Sequence, residues 1–207
     1  MTEDEARSWV RDRFGVSRET SLAAFGDILV AEAEHQNLIA RSTLDSLWAR
    51  HLTDSAQLVP LAAPAREGAW LDVGSGAGLP GIVVALLTDR PVILVEPRTK
   101  RVQFLRDAAE RLGVGNRVTV IGSKVESYRP EGPVAVVSAR AVAELSALML
   151  STVHCTDSST VWLLPKGRSA QSEVDAAGAK WQGQFQVEPS ITQPESGIVV
   201  ATQIGAR

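Results

Sequence analysis

A chain of 207 residues that is 44% hydrophobic and 22% charged has ordinary globular composition and enough length for one domain with a sizeable core, which leaves no room for a second full domain. Cys155 is the only cysteine, so intrachain disulfides and multi-thiolate zinc sites are excluded, and His35, His51 and His154 are too dispersed to suggest a metal cluster. A net charge of −3 does not announce a nucleic-acid binder, but residues 1–70 hold 7 Lys/Arg against 11 Asp/Glu whereas residues 96–140 hold 9 against 5, so a local basic face is compatible with the total.

The opening MTEDEARSW is charged where a signal peptide would be apolar, and no apolar run approaches the ~18 residues that span a bilayer, so a cytoplasmic protein with no membrane partner is expected. Residues 1–68 read as a helical N-terminal extension: Leu22, Phe25, Leu29 and Ala33 recur at spacings of three and four, as do Leu44, Leu47, Trp48 and Leu52. Pro60, Pro64 and Gly68 punctuate the chain, and residues 69–207 then alternate short apolar runs with helical stretches. The runs are AWLDV (69–73), VILVE (92–96), VTVI (118–121), VAVVS (134–138) and TVWLL (160–164), which lack polar alternation as parallel strands covered on both faces do. The connections between them are long enough for crossover helices. FQVEP (185–189) and GIVVATQI (197–204) suggest a closing antiparallel hairpin, and no repeat or low-complexity segment is present.

The strongest local signal is LDVGSGAGLPGIVVALL (71–87), which runs from a strand through a glycine-rich turn into a helix with Pro80 in its first turn. Gly74, Gly76 and Gly78 allow positive φ and close backbone approach to a cofactor. Gly76, Gly78 and Gly81 also satisfy the GxGxxG spelling of dinucleotide binders, so an NAD-dependent oxidoreductase is an alternative. Asp72, two residues before the first glycine, either approaches a cofactor ammonium or ties down the turn. Glu96, at the end of the second strand, is placed to accept bonds from ribose hydroxyls, which implies an adenosine-containing cofactor without choosing between NAD and S-adenosylmethionine. The fourth strand ends in SARA (138–141), where this kind of fold opens to its substrate; no DPPY-like tetrapeptide stands there, and Cys155 lacks the Pro-Cys setting of a covalent thiolate mechanism.

LDVGSGAGLPGIVVAL, LVEPRTKRVQFL, GSKVES, VVSARA and LLPKG, in this order and with NL (37–38) and RHLTDS (50–55) before them, resemble the RsmG (GidB) family over roughly residues 35–170. The resemblance implies a Rossmann-like class I methyltransferase, an α/β fold with a seven-stranded, mainly parallel sheet. It also implies transfer of a methyl group from S-adenosylmethionine to N7 of one guanine in 16S ribosomal RNA, with that RNA or the small ribosomal subunit as partner. By position it places Gly74 and Leu79 on the cofactor, Val125 and Glu126 beside the adenine, and Arg140 at the mouth of the site.

Arg140 and Lys166 follow buried strands at the site edge and are candidates for substrate, phosphate or surface ion-pair contacts; Arg50 and His51, one turn from Asp54, fit intrahelical support as well as catalysis. Ile39 stands where the family usually has threonine, and CTDSS (155–159) replaces its usual glycines. Arg98, Lys100 and Arg101, with Lys124 and Arg129, either form a solvated surface or converge at the cleft to meet phosphates. A non-catalytic ribosome-assembly factor is a further alternative, against which the complete Asp72, Gly74 and Glu96 positions stand.

Overall fold

The computed structural model describes residues 1–207. Helices α1 (Glu3–Phe14) and α2 (Val16–Glu32) are followed by a 3-10 turn (Arg41–Ser46), a π-helical turn (Trp48–Leu52) and the short helices α3 (Thr53–Ala56) and α4 (Leu58–Leu61). Thr2 and Glu5 close a capping box on α1, with each side chain accepting the other residue's backbone N–H. The pattern of Leu44, Leu47, Trp48 and Leu52 reads as one apolar helical stripe, and the segment is helical but irregular: the 3-10 turn passes into the π-helical turn at Trp48, where the Glu3 carboxylate accepts the Trp48 and Ala49 amides, each at 2.8 Å. A carboxylate at a helix start satisfies donors that have no partner within the helix.

The remaining elements are β1 (Trp70–Val73), α5 (Gly81–Leu87), β2 (Val92–Val95), α6 (Thr99–Arg111), β3 (Val118–Ile121), β4 (Val136–Ser138), α7 (Leu145–Thr152), β5 (Val161–Lys166), α8 (Ala170–Ala177), β6 (Trp181–Pro189) and β7 (Gly197–Ala206). They build a seven-stranded sheet in the order β3-β2-β1-β4-β5-β7-β6. Strands β1 to β5 are parallel, and β7 runs antiparallel between β5 and β6. The expected closing hairpin is therefore present and supplies both antiparallel pairings.

Alternate residues of each strand feed two cores. Trp70, Leu94, Val136 and Leu163 pack into a layer with α2, α5 and α6, whereas Leu71, Val95, Val137, Trp162 and Leu164 pack with α7 and α8. Burial on both faces explains why the strands carry no polar alternation. Strand β3 departs from that expectation because it is an edge: Thr119 is exposed and its neighbours are half-buried. The order reverses between β1 and β4, so the carboxyl ends of these strands open a crevice there.

Leu22, Phe25 and Leu29 of α2 belong to the same core as Trp70, Ile82 and Leu105, all fully buried. Each such side chain contributes roughly 1.5–3 kcal/mol relative to exposure. The extension is thus packed against the sheet layer rather than around a core of its own. Phe25→Ala is expected to lower stability by about 3–5 kcal/mol. In urea the variant should still unfold in a single transition; separate melting of the N-terminal helices would contradict the shared core.

Candidate active site

After β1 the chain turns through Gly74, Gly76 and Gly78 at φ of 67°, 53° and 81°. These left-handed conformations are open to glycine and strained for other residues. The loop is tied to β2 by the Gly74 and Ser75 amides, which donate to the Val95 carbonyl at 2.8 and 3.1 Å. Gly81 allows α5 to sit close, since a Cβ there would lie 2.2 Å from Leu94 Cδ2 and 2.8 Å from Asp72 Oδ2.

Asp72 lies buried beneath this loop. Its Oδ1 accepts from the Ser138 hydroxyl at 2.7 Å, and its Oδ2 accepts the Gly81 amide at 3.2 Å. Trp70 Nε1 donates to Ser138 Oγ at 2.8 Å, which leaves the serine proton for Asp72. Burial pushes the Asp72 carboxyl up to about 6, against the lowering influence of the Ser138, Ser75 and Gly81 donors and of Arg140. Glu96, also buried, accepts the Gly76 amide at 3.0 Å and the Arg98 amide at 2.9 Å.

A cavity of about 730 Å³ lies in front of the loop, within the size range of small-molecule sites. Gly74, Gly76, Leu79 and Arg101 bound one side, and Arg50, His51, Asp54, Arg140, Lys166 and the hairpin residues Ser190, Gln193 and Ser196 bound the rest. The site residues expected from the sequence separate accordingly. Gly74, Gly76, Leu79, Arg140 and Lys166 line the cavity; Asp72, Gly78, Glu96, Val125 and Glu126 do not. Gly78 serves the turn, where a Cβ would meet Ile82 at 2.6 Å. Val125 is buried in the core beside α7, and Glu126 is exposed on the 3-10 turn that follows β3. Within the chain itself the Asp72 carboxylate ties the turn to β4 and to the start of α5.

Arg140 reaches across to the N-terminal extension. Its Nη1 donates to the Arg50 carbonyl and to Asp54 Oδ2, both at 3.3 Å, and its Nη2 faces His51 Nδ1 at 3.3 Å. Asp54 Oδ1 also accepts from Thr192 at 2.7 Å and from Gln57 Nε2 at 3.0 Å, so this carboxylate joins the extension, Arg140 and the β6–β7 loop. Burial, then the charges of Arg140 and Arg50, push the His51 imidazole down to about 4, leaving it neutral. Lys166 pairs with Glu173 at 2.8 Å and donates to the Ala143 carbonyl at 2.6 Å; Glu173 in turn accepts the Leu145 amide at 2.9 Å. These bonds hold the irregular segment 139–144, in which Ala141 has φ of 54° and Val142 covers Gly74.

Of the charges expected either to form a solvated surface or to converge at the cleft, Arg101 lines the cavity, while the hairpin wall of Ser190, Gln193 and Ser196 gave no signal in the sequence. Arg101 lies 3.9 Å from Glu96 and lines the cavity, whereas Lys100 lines a separate groove between α2 and α6. Ile39 also lines the cavity, and the CTDSS segment folds into a turn around Asp157 away from it. No helix is long and apolar enough to cross a membrane, and no group of three or more His, Cys, Asp or Glu residues could hold a metal ion.

The chain matches the family described as rRNA small subunit methyltransferase G over residues 18–197. It is 47% identical over 208 residues to the ribosomal RNA small subunit methyltransferase G of Rhizorhabdus wittichii, covering 100% of this chain and 95% of that protein. The protein of the same name from Zymomonas mobilis is 46% identical over 213 residues, covering 99% and 95%. Among solved structures, the fold is similar to a mutant of MtNAS in complex with S-adenosylmethionine, with TM-score 0.58, 17% identity, and 98% of this chain and 84% of that one covered. It is also similar to the glycopeptide N-methyltransferase MtfA, with TM-score 0.59, 12% identity, and coverage of 80% and 99%. At such low identity these structures establish the methyltransferase fold alone.

The raised Asp72 pKa has a consequence for stability. The folded chain holds this proton more tightly than the unfolded chain, so the stabilising contribution is fully present below the ordinary value of 3.8 and is lost as pH rises through about 6. Asp72→Asn should flatten the pH dependence of urea-unfolding stability between these values; an unchanged slope would show that Asp72 does not titrate there.

Proposed function

Because the chain belongs to the rRNA small subunit methyltransferase G family, we propose that it transfers a methyl group from S-adenosylmethionine to N7 of one guanine in 16S ribosomal RNA. The observation that carries this reading is the joining of a left-handed glycine loop and a guanidinium in one cavity. The residues fit the cofactor: Gly74 and Gly76 line the cavity with backbone alone, and the carboxylates of Asp72 and Glu96 lie beneath the loop. Buried acidic groups favour a cationic ligand and oppose a pyrophosphate, which weighs against the dinucleotide alternative. S-adenosylmethionine supplies a methyl group activated on a sulfonium.

Guanine N7 has an exposed lone pair and no proton to lose, so the chain's residues need to align reactants rather than remove a proton. Alignment with reacting atoms about 3–3.5 Å apart supplies the rate. Gly74, Gly76 and Leu79 form the wall for the cofactor, and Glu96 shapes the loop through Gly76 while retaining lone pairs for a ribose hydroxyl. Arg140 binds at the junction of cofactor and RNA, through a carboxylate, a phosphate or guanine O6. A fork on both O6 and N7 would block the reaction. Lys166, already bound to Glu173 and Ala143, acts by holding segment 139–144 over the loop. Val125 and Glu126 remain candidates for the adenine edge beyond the walled cavity. Residues 1–68 act as a helical extension of the S-adenosylmethionine-binding unit of residues 69–207, contributing one wall of the site.

Transfer of labelled methyl from S-adenosylmethionine to small ribosomal subunits, with mass mapping of the product, tests the reaction; no label in RNA would reject it. Gly74→Asp should abolish S-adenosylhomocysteine binding in calorimetry, since even a Cβ at this φ would lie 2.7 Å from Val142 Cγ2. Retained affinity would reject the loop assignment. Arg140→Ala should lower methyl transfer with a modest loss of cofactor affinity.

The adjacent cations are expected to separate in function. Arg101→Ala should weaken cofactor binding, because Arg101 borders the cavity beside Gly76. Changing the exposed Arg98 and Lys100 together to Ala should leave cofactor affinity alone and reduce the salt slope of subunit binding by about 1 for each phosphate these side chains neutralise. An unchanged slope would identify them as a solvated helix face.

A further inference from the structure

His51 has both ring nitrogens engaged, and the directions of the surrounding bonds determine which one carries the proton. Thr43 Oγ1 donates to the Ala40 carbonyl at 2.6 Å. A hydroxyl has one proton, so Thr43 can only accept from His51 Nε2, 2.7 Å away. The neutral ring must then be the Nε2–H tautomer, with Nδ1 a bare acceptor facing Arg140 Nη2 at 3.3 Å. Arg140 Nη1 meanwhile gives its two protons to the Arg50 carbonyl and Asp54. Three of the five guanidinium protons are thereby bound by one short stretch of the extension, leaving the Nε–H and one Nη2–H for a ligand. Arg50 and His51 belong to the π-helical turn Trp48–Leu52, an irregularity that often occurs at functional sites.

We propose that His51 is a positioning residue for methyl transfer: fixed as the Nε2–H tautomer by Thr43, it presents Nδ1 to Arg140 and aims the remaining guanidinium donors into the cavity. The proposal rests on the role given to Arg140 in the proposed function. It assigns the N-terminal extension a part in the chemistry, through orientation of a cation contributed by the SARA segment. Protonation of His51 would remove the acceptor and place a third positive charge beside Arg50 and Arg140, with Asp54 as the carboxylate of this cluster.

The test exploits the shapes of the two amides. Asparagine can place an oxygen near the position of Nδ1, whereas glutamine reaches toward that of Nε2. His51→Gln is expected to lower kcat for methylation of small subunits by about tenfold to a hundredfold, and His51→Asn should recover most of the loss. The double variant His51→Gln/Arg140→Ala should be no slower than Arg140→Ala alone, as residues acting through one another are not additive. Nitrogen NMR of the chain without cofactor, simplified by the presence of only three histidines, should show the His51 proton on Nε2. Urea-unfolding midpoints for every variant exclude misfolding as the cause of a loss.

Equal activity of the Gln and Asn variants, full activity of His51→Gln while Arg140→Ala is impaired, or a proton on Nδ1 would each overturn the positioning role and leave the role of Arg140 intact. Full activity of Arg140→Ala would reject that role and the inference built on it. If labelled methyl fails to reach RNA even with the unaltered chain, it is the proposed reaction that fails, and the inference falls with it.

Discussion

A carboxylate without solvent holds the centre of this molecule together. Asp72 is the last but one residue of β1, yet its oxygens reach the serine that ends β4 and the first amide of α5. The charged form of a buried acid is expensive unless it accepts hydrogen bonds, so the strand pairing, the helix start and the turn between them must all be in place together. Gly81 shows how little slack there is, since a single added carbon would strike both Asp72 and Leu94. The glycine loop owes its shape to this constraint from below as much as to its own backbone freedom.

A second carboxylate works in a similar way at the cavity's far side. Asp54 accepts from Arg140, Thr192 and Gln57, three side chains distant in sequence from one another. Between the two acids the cavity acquires walls from the extension, the parallel sheet and the antiparallel hairpin. Removal of any one group would leave buried donors or acceptors without partners, the costly half of hydrogen-bond energetics.

The parts visible in the sequence are those with local physical causes. Parallel strands covered by helices appear as short apolar runs, and Gly74, Gly76 and Gly78 announce a tight turn because positive φ favours glycine. Arg140 was recognisable as a site residue, but its partners His51 and Asp54 were equally consistent with intrahelical support. The π-helical turn was hidden because its cap, Glu3, lies 45 residues away from Trp48. Lys100 and Arg101 looked alike as adjacent charges, although neighbouring helix positions point about 100° apart, and only one of them borders the cavity. The polar hairpin wall had no motif at all, since Ser190, Gln193 and Ser196 acquire meaning from what they face. Lys166 looked like a free donor at a strand end until Glu173, on the next helix, was seen to pair with it.

The hairpin has a consequence for when the site comes into being. Strand β7 is inserted between β5 and β6, and bonds from Gln57 to Ser190 and from Thr192 to Asp54 span 133 and 138 positions. Contacts of such sequence separation form slowly and late. During synthesis the glycine loop and its five parallel strands can emerge and pair before the last wall of the cavity exists. A nascent chain halted before residue 190 therefore lacks Thr192, one of the donors that brace Asp54 behind Arg140, and Ser190, which accepts from Gln57. Emergence of this hairpin is itself the step that finishes the pocket.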